Sequence, residues 1–288
     1  MQKTNVDVQT NRRINQSRNK KTTKMKLDSL NNWFSDKTSA LVALSGGVDS
    51  ALVAYSAFSV LGKSAIAVTA DYKTLAQEEL DSAKKISKEI GMSHLIISYD
   101  ELQNPDFVKN DKDRCFHCRT ELASHLIKLA KEKDIQTIVD GTNLDDLGDY
   151  RPGIAALQNN GIRSPLVESG LTKKDVRDTA KFIGLSVYDR PSNSCLASRI
   201  PWGQKVTAER LARIEVGEIF VKQLLGAHIV RVRDIDGSAK IEIGQEELHL
   251  IRNLDFDVLS DKLKSIGFTS VSIDESGYSP GKINILAD

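Results

Sequence analysis

The sequence has little of what marks a secreted or membrane-bound protein. Three cysteines among 288 residues are too few, and odd in number, for a disulfide framework; a reducing cytoplasm fits best. No run of about eighteen apolar residues occurs, so no membrane-spanning helix is expected, nor is the apolar core of a signal peptide. The pattern G-x-x-x-x-G-K-[ST] is missing, which excludes a Walker-type nucleotidase. The glycine-rich turn near residue 46 is not G-x-G-x-x-G, which disfavours a dinucleotide oxidoreductase.

Net charge is also nearly absent, at +1, but it is unevenly spread. Residues 1–26 carry eight Lys/Arg and one acid, so the remaining chain nets −6. Nucleic-acid binders carry basic bodies, because neutralised phosphates supply much of their affinity; this body is acidic. The basic stretch is polar and is expected to be a disordered extension. Met25 opens MKLDSLNNWF, which reads like a natural start, so the basic tail is expected to be an upstream extension.

From about residue 39 the hydrophobic pattern alternates. ALVAL (40–44), AIAVTA (65–70, followed by Asp71), HLIISY (94–99) and TIVDGT (137–142) read as buried strands. Helical spacing fills 48–62, 75–91 and about 119–133. Strands alternating with helices predict an α/β fold, a parallel sheet with helices on both faces. Its ligand site is expected beyond the carboxyl ends of the strands. The glycines and prolines between 145 and 170 read as ligand-facing loops. After about residue 200 the pattern becomes α+β: a long helix (207–225), strands at 228–235 and 240–244 joined by Asp236-Gly237, helical segments through 245–265, and a last strand at 268–274. The hairpin follows from the Asp-Gly pair. The expected domains are therefore the extension 1–26, a nucleotide-binding domain 27–200, and a smaller domain 201–288.

SGGVDS (45–50) sits between the first strand and the first of these helices. Gly46 and Gly47 let the backbone turn tightly and aim N–H groups at an anion. The helix N-terminus adds unpaired donors and a favourable dipole. Ser45 and Ser50 add hydroxyls, and Asp49 can orient the loop or meet a cation. Asp145, Asp146 and Asp149 cluster after a strand end, where Mg²⁺ on ATP phosphates would find oxygen ligands; a solvated acidic loop is the plainer alternative. Arg231 and Arg233, two apart on a strand, point the same way and suit a phosphate, or else form an exposed basic face.

In this context SGGVDS resembles the PP-loop ATP pyrophosphatases. That resemblance implies cleavage of ATP to AMP and pyrophosphate, with the loop stabilising the leaving group. DGTNLDDLGDYRPG (140–153), SPLVESGLTKKDVR (164–177), PSNSCLASRIPWG (191–203), RVR (231–233) and GYSPGKIN (277–284) narrow it. From about Met25 onward the chain resembles the LarE-type ATP-dependent sulfur transferases, which convert carboxylates of pyridinium-3,5-biscarboxylic acid mononucleotide to thiocarboxylates in nickel-pincer nucleotide biosynthesis. The resemblance implies Ser45, Gly46, Gly47, Asp49, Ser50, Asp71 and Asp146 as nucleotide-binding residues. It implies Arg119, Arg231, Arg233 and Glu218 at the substrate, and Cys195 with Asp49 in catalysis. ATP and Mg²⁺ are the implied cofactors. A sulfide donor and a homo-oligomer, trimer or hexamer, are the implied partners, with no nucleic acid and no membrane.

Cys115 and Cys118 form CFHC, and Cys195 lies within PSNSCLASR. Cys195 matches the position of a sacrificial sulfur donor in some relatives. The three-cysteine pattern resembles members that hold a [4Fe–4S] cluster and deliver sulfide from it, three thiolates leaving one iron open. The residues alone leave other readings open: zinc on the three cysteines and His117, a C-x-x-C redox pair, or inert buried thiols. Two other functions compete: tRNA thiolation, against which the acidic body counts, and an ammonia-using ligase, which leaves the cysteines unexplained.

Overall fold

The computed structural model describes residues 5–148, 151–279 and 283, with side chains from Lys20 onward apart from Asn253. Of the expected features, residues 1–4, Asp149 and the 280–282 and 284 part of GYSPGKIN lie outside the described residues. In chain order the helices and strands are α1 (Asn5–Phe34), β1 (Ala40–Ala43), α2 (Val48–Leu61), β2 (Ala65–Asp71), α3 (Gln77–Ile90), β3 (Ser93–Ser98), α4 (Pro105–Val108), α5 (Arg114–Glu132) and β4 (Thr137–Val139). There follow α6 (Pro152–Asn159), α7 (Pro165–Glu168), α8 (Lys173–Ile183), α9 (Ala208–Leu225), β5 (Val230–Ile235), β6 (Ser238–Ile243), α10 (Phe256–Ser265) and β7 (Ser270–Ile273).

The chain divides into two compact units that interleave in sequence. The first comprises Met1–Asp71, Gln77–Ile97 and Arg119–Arg190; the second comprises Tyr72–Ala76, Ser98–Cys118 and Pro191–Asp288. The single boundary expected near residue 200 is therefore replaced by several. Two excursions, after β2 and at the end of β3, join the second unit, and the last crossing comes at Pro191. Hydrophobic periodicity marks where elements lie but not which core they feed, and so these excursions carried no signal.

The first unit is built on a four-stranded sheet in the order β3-β2-β1-β4. Central β1 pairs in parallel with β2 (Ala40↔Ala65) and β4 (Ala40↔Thr137). ALVA has no polar side chain, as a strand covered on both faces requires. α2 is mostly apolar after its first turn and is buried along most of its length. α3 is amphipathic: Leu80, Ala83 and Ile86 face inward while its lysines stay at the surface. Leu30, Phe34, Leu52, Leu166 and Val176 fill the same core.

In three places the first unit differs from expectation. The stretch 145–170 is not continuous loop but holds a 3₁₀ turn (Leu144–Gly148), α6 and α7. α6 and α7 each begin on a proline, a residue that is tolerated in the first helical turn. α8 has no counterpart in the expected pattern, although its start carries a capping box. Thr172 accepts the Asp175 N–H, and Asp175 accepts the Thr172 N–H in return. Residues 5–26, expected to be unstructured, fall within α1. Leu30 and Phe34 bury the end of that helix, and extending an anchored helix costs little per residue. Among the described residues no helix is long and apolar enough to cross a membrane.

The second unit has a three-stranded sheet in the order β5-β6-β7. β5 and β6 form the expected hairpin: Ile235 pairs with Ser238, and Asp236 and Gly237 both take positive φ (47° and 84°). That is the turn whose twist suits a two-residue hairpin. β7 pairs with β6 in parallel. Thr207 caps α9 by accepting the Arg210 N–H. Ile214, Val221, Val232, Ile241 and Leu259 form the core beneath.

Candidate active site

The phosphate loop follows β1 in the first unit. Gly46 has φ +84°, and a Cβ there would stand 2.4 Å from the Glu79 carbonyl oxygen, so both the turn and the packing demand glycine. The Gly46 carbonyl accepts from Ser82 Oγ and Arg190 Nη1, each at 2.8 Å. Arg190 is itself fixed by two bonds to Glu79 at 2.7 Å. With that carbonyl held back, the loop has its N–H groups to offer. Gly47 is the N-cap of α2 and has no side chain to occupy the helix's first N–H groups. Ser50 Oγ accepts the Ser45 N–H at 3.1 Å and donates to the Gly47 carbonyl, and its hydroxyl lies 3.1 Å from that of Ser45.

A polar ring joins this loop to the segment after β4. Lys173 Nζ pairs with Asp49 Oδ2. Asn143 Nδ2 donates to Asp49 Oδ1 at 3.2 Å, and the Asn143 N–H donates to Asp146 Oδ2 at 3.0 Å. Asp145 accepts the Lys173 N–H, and Asp146 pairs with Arg151 at 2.5 Å. Sequence reasoning placed Asp49, Asp145 and Asp146 here but missed Lys173 and Asn143. The signal for Lys173 was the capping box that aims it: α8 begins at that residue. Gly141 was missed as well. A Cβ there would meet the Ser50 nitrogen at 2.7 Å, so this glycine lets the β4 loop approach the start of α2. Asp71 lies exposed at the C-terminal end of β2.

Asp140 is buried at the end of β4, where it accepts from Thr142 and Ser164 hydroxyls at 2.6 and 2.7 Å. Burial raises its pKa; these hydrogen bonds and the charge of Arg119 only partly offset that. Arg119, expected at the substrate, is thus placed within electrostatic reach of Asp140.

The second unit holds the cysteines. α5 starts earlier than the spacing predicted, so Cys115 and Cys118 lie in its first two turns, three residues apart and on one face. None of the three cysteines is in a disulfide; Cys115 is exposed, whereas Cys118 and Cys195 are partly buried against the core. Arg114 Nη2 lies 3.8 Å from Cys115 Sγ. Burial alone would lower the pKa of this guanidinium; its electrostatic interaction with Cys195, Cys115 and Cys118 outweighs that and holds the value raised. One buried cation therefore senses all three sulfurs. Among the described residues no three His, Cys, Asp or Glu side chains stand as a ready-made site for a single metal ion.

Arg231 and Arg233 share a face, as their spacing predicts, but that face is inside: they are 3% and 4% exposed. Both guanidinium groups lie over the Tyr278 ring, at 5.0 and 5.8 Å. Arg233 is bound to Glu242 at 2.7 Å and to the Ser198 carbonyl. Among the described residues Arg231 donates only to backbone carbonyls of Val230 and Ser192, and its Nε is buried without a partner there. Its pKa is lowered, first by burial and then by Arg199. Glu218 does not point outward as a substrate ligand would. Both its oxygens bind Arg199, at 2.8 and 3.0 Å, and Oε1 also accepts the Val232 N–H. Burial would raise the Glu218 pKa, but the charge and hydrogen bonds of Arg199 hold it lowered. Arg199 in turn donates to the Ser194 and Cys195 carbonyls at 2.5 and 3.0 Å. Glu218 is thus an anchor for the Cys195 loop, a role its spacing in the sequence could not reveal.

The family model described as queuosine biosynthesis protein QueC matches residues 39–111, the stretch from β1 through the phosphate loop to α4. The chain is 32% identical over 248 residues to the pyridinium-3,5-bisthiocarboxylic acid mononucleotide synthase of Lactiplantibacillus plantarum, covering 84% of this chain and 88% of that protein. An uncharacterised protein of Synechocystis sp. is 39% identical over 260 residues, covering 90% and 97% of the two chains. A tRNA-specific 2-thiouridylase of Wolbachia pipientis is 24% identical over 195 residues, about half of each chain (54% and 52%).

Proposed function

The chain belongs to the LarE family of pyridinium-3,5-bisthiocarboxylic acid mononucleotide synthases, and we propose that it uses ATP to exchange carboxylate oxygen for sulfur on the corresponding biscarboxylate mononucleotide. The observation that carries this reading is Arg231. A buried guanidinium that, among the described residues, has an unpartnered Nε and no carboxylate among its hydrogen bonds, beside Arg233 and against an aromatic ring, suits a phosphate on an aromatic nucleotide.

In the first step a substrate carboxylate oxygen attacks the α-phosphorus of ATP, and pyrophosphate leaves. Donors on the loop at Ser45–Ser50 would stabilise charge on that leaving group. Asp49 and Asp146 offer the oxygen ligands that Mg²⁺ takes. Lys173 and Arg151, which neutralise them in this structure, bring cations to the same ring. In the second step a sulfur nucleophile attacks the activated carbonyl carbon, and AMP departs with the former carboxylate oxygen.

For the sulfur source, the chemistry of the donors fits an iron–sulfur cluster: three cysteines, none in a disulfide, all within electrostatic reach of one buried cation. Cys115, Cys118 and Cys195 would hold three irons of a [4Fe–4S] cluster. When bound, the cluster supplies sulfide for the exchange. Anaerobically reconstituted protein is expected to carry about four irons per chain and to turn over repeatedly when fed sulfide, without change in its own mass. Iron-free protein that still turns over repeatedly would sink the cluster reading. Protein lighter by one hydrogen sulfide after a single turnover would replace it with sacrifice of Cys195. The likeness to the 2-thiouridylase is weaker and partial, and the body of the chain is acidic.

A further inference from the structure

Two buried polar residues, outside the phosphate loop and the arginine pair, connect the segments that carry the cysteines. Asn110 is fully buried and takes φ +57°, a conformation that asparagine tolerates better than most residues. Its side-chain amide donates to the carbonyls of Pro201 and Gln204 at 2.8 and 2.7 Å, and to that of Ile200 at 3.4 Å. Its backbone carbonyl accepts the Gly203 N–H at 2.9 Å. On the other side Asn110 Oδ1 accepts from Arg114 Nη1 at 2.7 Å. The same Nη1 reaches the Ala197 carbonyl at 2.8 Å.

These bonds tie Asn110 and Arg114 to residues 197–204 across more than eighty positions of sequence. Ala197 is two residues past Cys195, and Arg114 immediately precedes Cys115 at the start of α5. A core of apolar side chains would stabilise this contact equally well. Hydrogen bonds to named carbonyls fix it at one register, and buried polar groups without such partners would be costly.

We infer that Asn110 and Arg114 are positioning residues, a clamp that sets Cys115 and Cys118 against Cys195. The inference rests on the reading that the three cysteines act as one site. Its test is run on protein prepared without metal, so that it stands apart from the cluster's.

The test uses Arg114→Met, Arg114→Lys and Asn110→Gly in the full-length protein; the glycine keeps the positive φ while removing the side chain. A short bismaleimide is applied to metal-free protein at a temperature where circular dichroism shows each variant folded. Peptide mapping then counts ties between Cys195 and Cys115 or Cys118. Wild type is expected to give these ties, Arg114→Met and Asn110→Gly to lose most of them, and Arg114→Lys to recover part. Iron affinity on reconstitution is expected to fall about 10–100-fold in the first two variants, the usual cost of losing a residue that supports a metal's ligands. No tie in wild type, or equal yields in all variants, overturns the clamp. If wild type gives the ties but takes up no iron, the cluster reading fails and the clamp stands.

Discussion

The two units build their sites from different materials. In the first, the working surface is backbone: a loop whose glycines permit the turn, whose carbonyl is held back by Arg190 and Ser82, and whose N–H groups open a helix. In the second it is side chain: buried arginines held by carboxylates and carbonyls, with the sulfurs among them. A backbone site tolerates almost no change at its glycines but is indifferent to many neighbours. A side-chain site spreads its dependence over pairs, so each loss is partial. Variants in each unit can break or sharpen that contrast.

The largest effect is expected from Gly46→Ala. Its Cβ would strike the Glu79 carbonyl in a left-handed conformation, so pyrophosphate release should fall below detection. Calorimetry should show a loss of at least about 1–3 kcal/mol in stability. Near-normal release would show that the loop is not held as described.

Lys173→Met should follow. Removing the cation that faces Asp49 is expected to lower kcat for pyrophosphate release about 10²–10³-fold, the range for loss of one donor to a developing charge. Binding of AMP should change little. Arg231→Ala is expected to act on KM: about 100-fold higher for the phosphorylated mononucleotide, within the cost of removing a buried charged partner, and nearly unchanged for a dephosphorylated analogue. Equal loss for both substrates would mean that the arginine serves the fold alone.

The smallest catalytic effect, and the clearest effect on stability, is expected from Glu218→Gln. Breaking the buried pair with Arg199 should cost about 3–5 kcal/mol, read by denaturant unfolding. The pH dependence has a defined sign. Glu218 and Asp234 have folded pKa values below the ordinary carboxylate range, Asp234 because Arg213 and Arg210 outweigh its burial. Their contribution is fully present above the unfolded values and is lost as pH falls through the folded ones. Asp140, raised by burial, runs the other way: its charged form costs stability above its folded pKa. Acid unfolding of wild type should therefore steepen below the ordinary range, and Glu218→Gln should flatten part of that slope.

Much of the first unit was legible because its logic is local. Strand, SGGVDS and helix follow one another in sequence, and ALVA announces a covered strand by composition alone. What was missed there came from residues distant in sequence, such as Lys173 and Gly141, whose purpose is visible only when α8 and the β4 loop meet α2. In the second unit the hairpin at Asp236-Gly237 and the shared face of Arg231 and Arg233 could be read from turn chemistry and strand alternation. Their burial could not, because it depends on Glu242 and Tyr278. Glu218 shows the limit most plainly: a carboxylate on a helix reads as a ligand, and only Arg199 reveals it as an anchor.

The central claim is that the phosphate loop spends ATP to let sulfur replace carboxylate oxygen. Its most direct measurement is the ratio of pyrophosphate released to oxygen-for-sulfur exchange, using isotopically labelled sulfide, ATP, Mg²⁺ and the biscarboxylate mononucleotide under anaerobic conditions. One pyrophosphate for each labelled sulfur in the product, with no release when the mononucleotide is omitted, is the result expected. Pyrophosphate released without sulfur in the product, or sulfur incorporated without pyrophosphate, would contradict it.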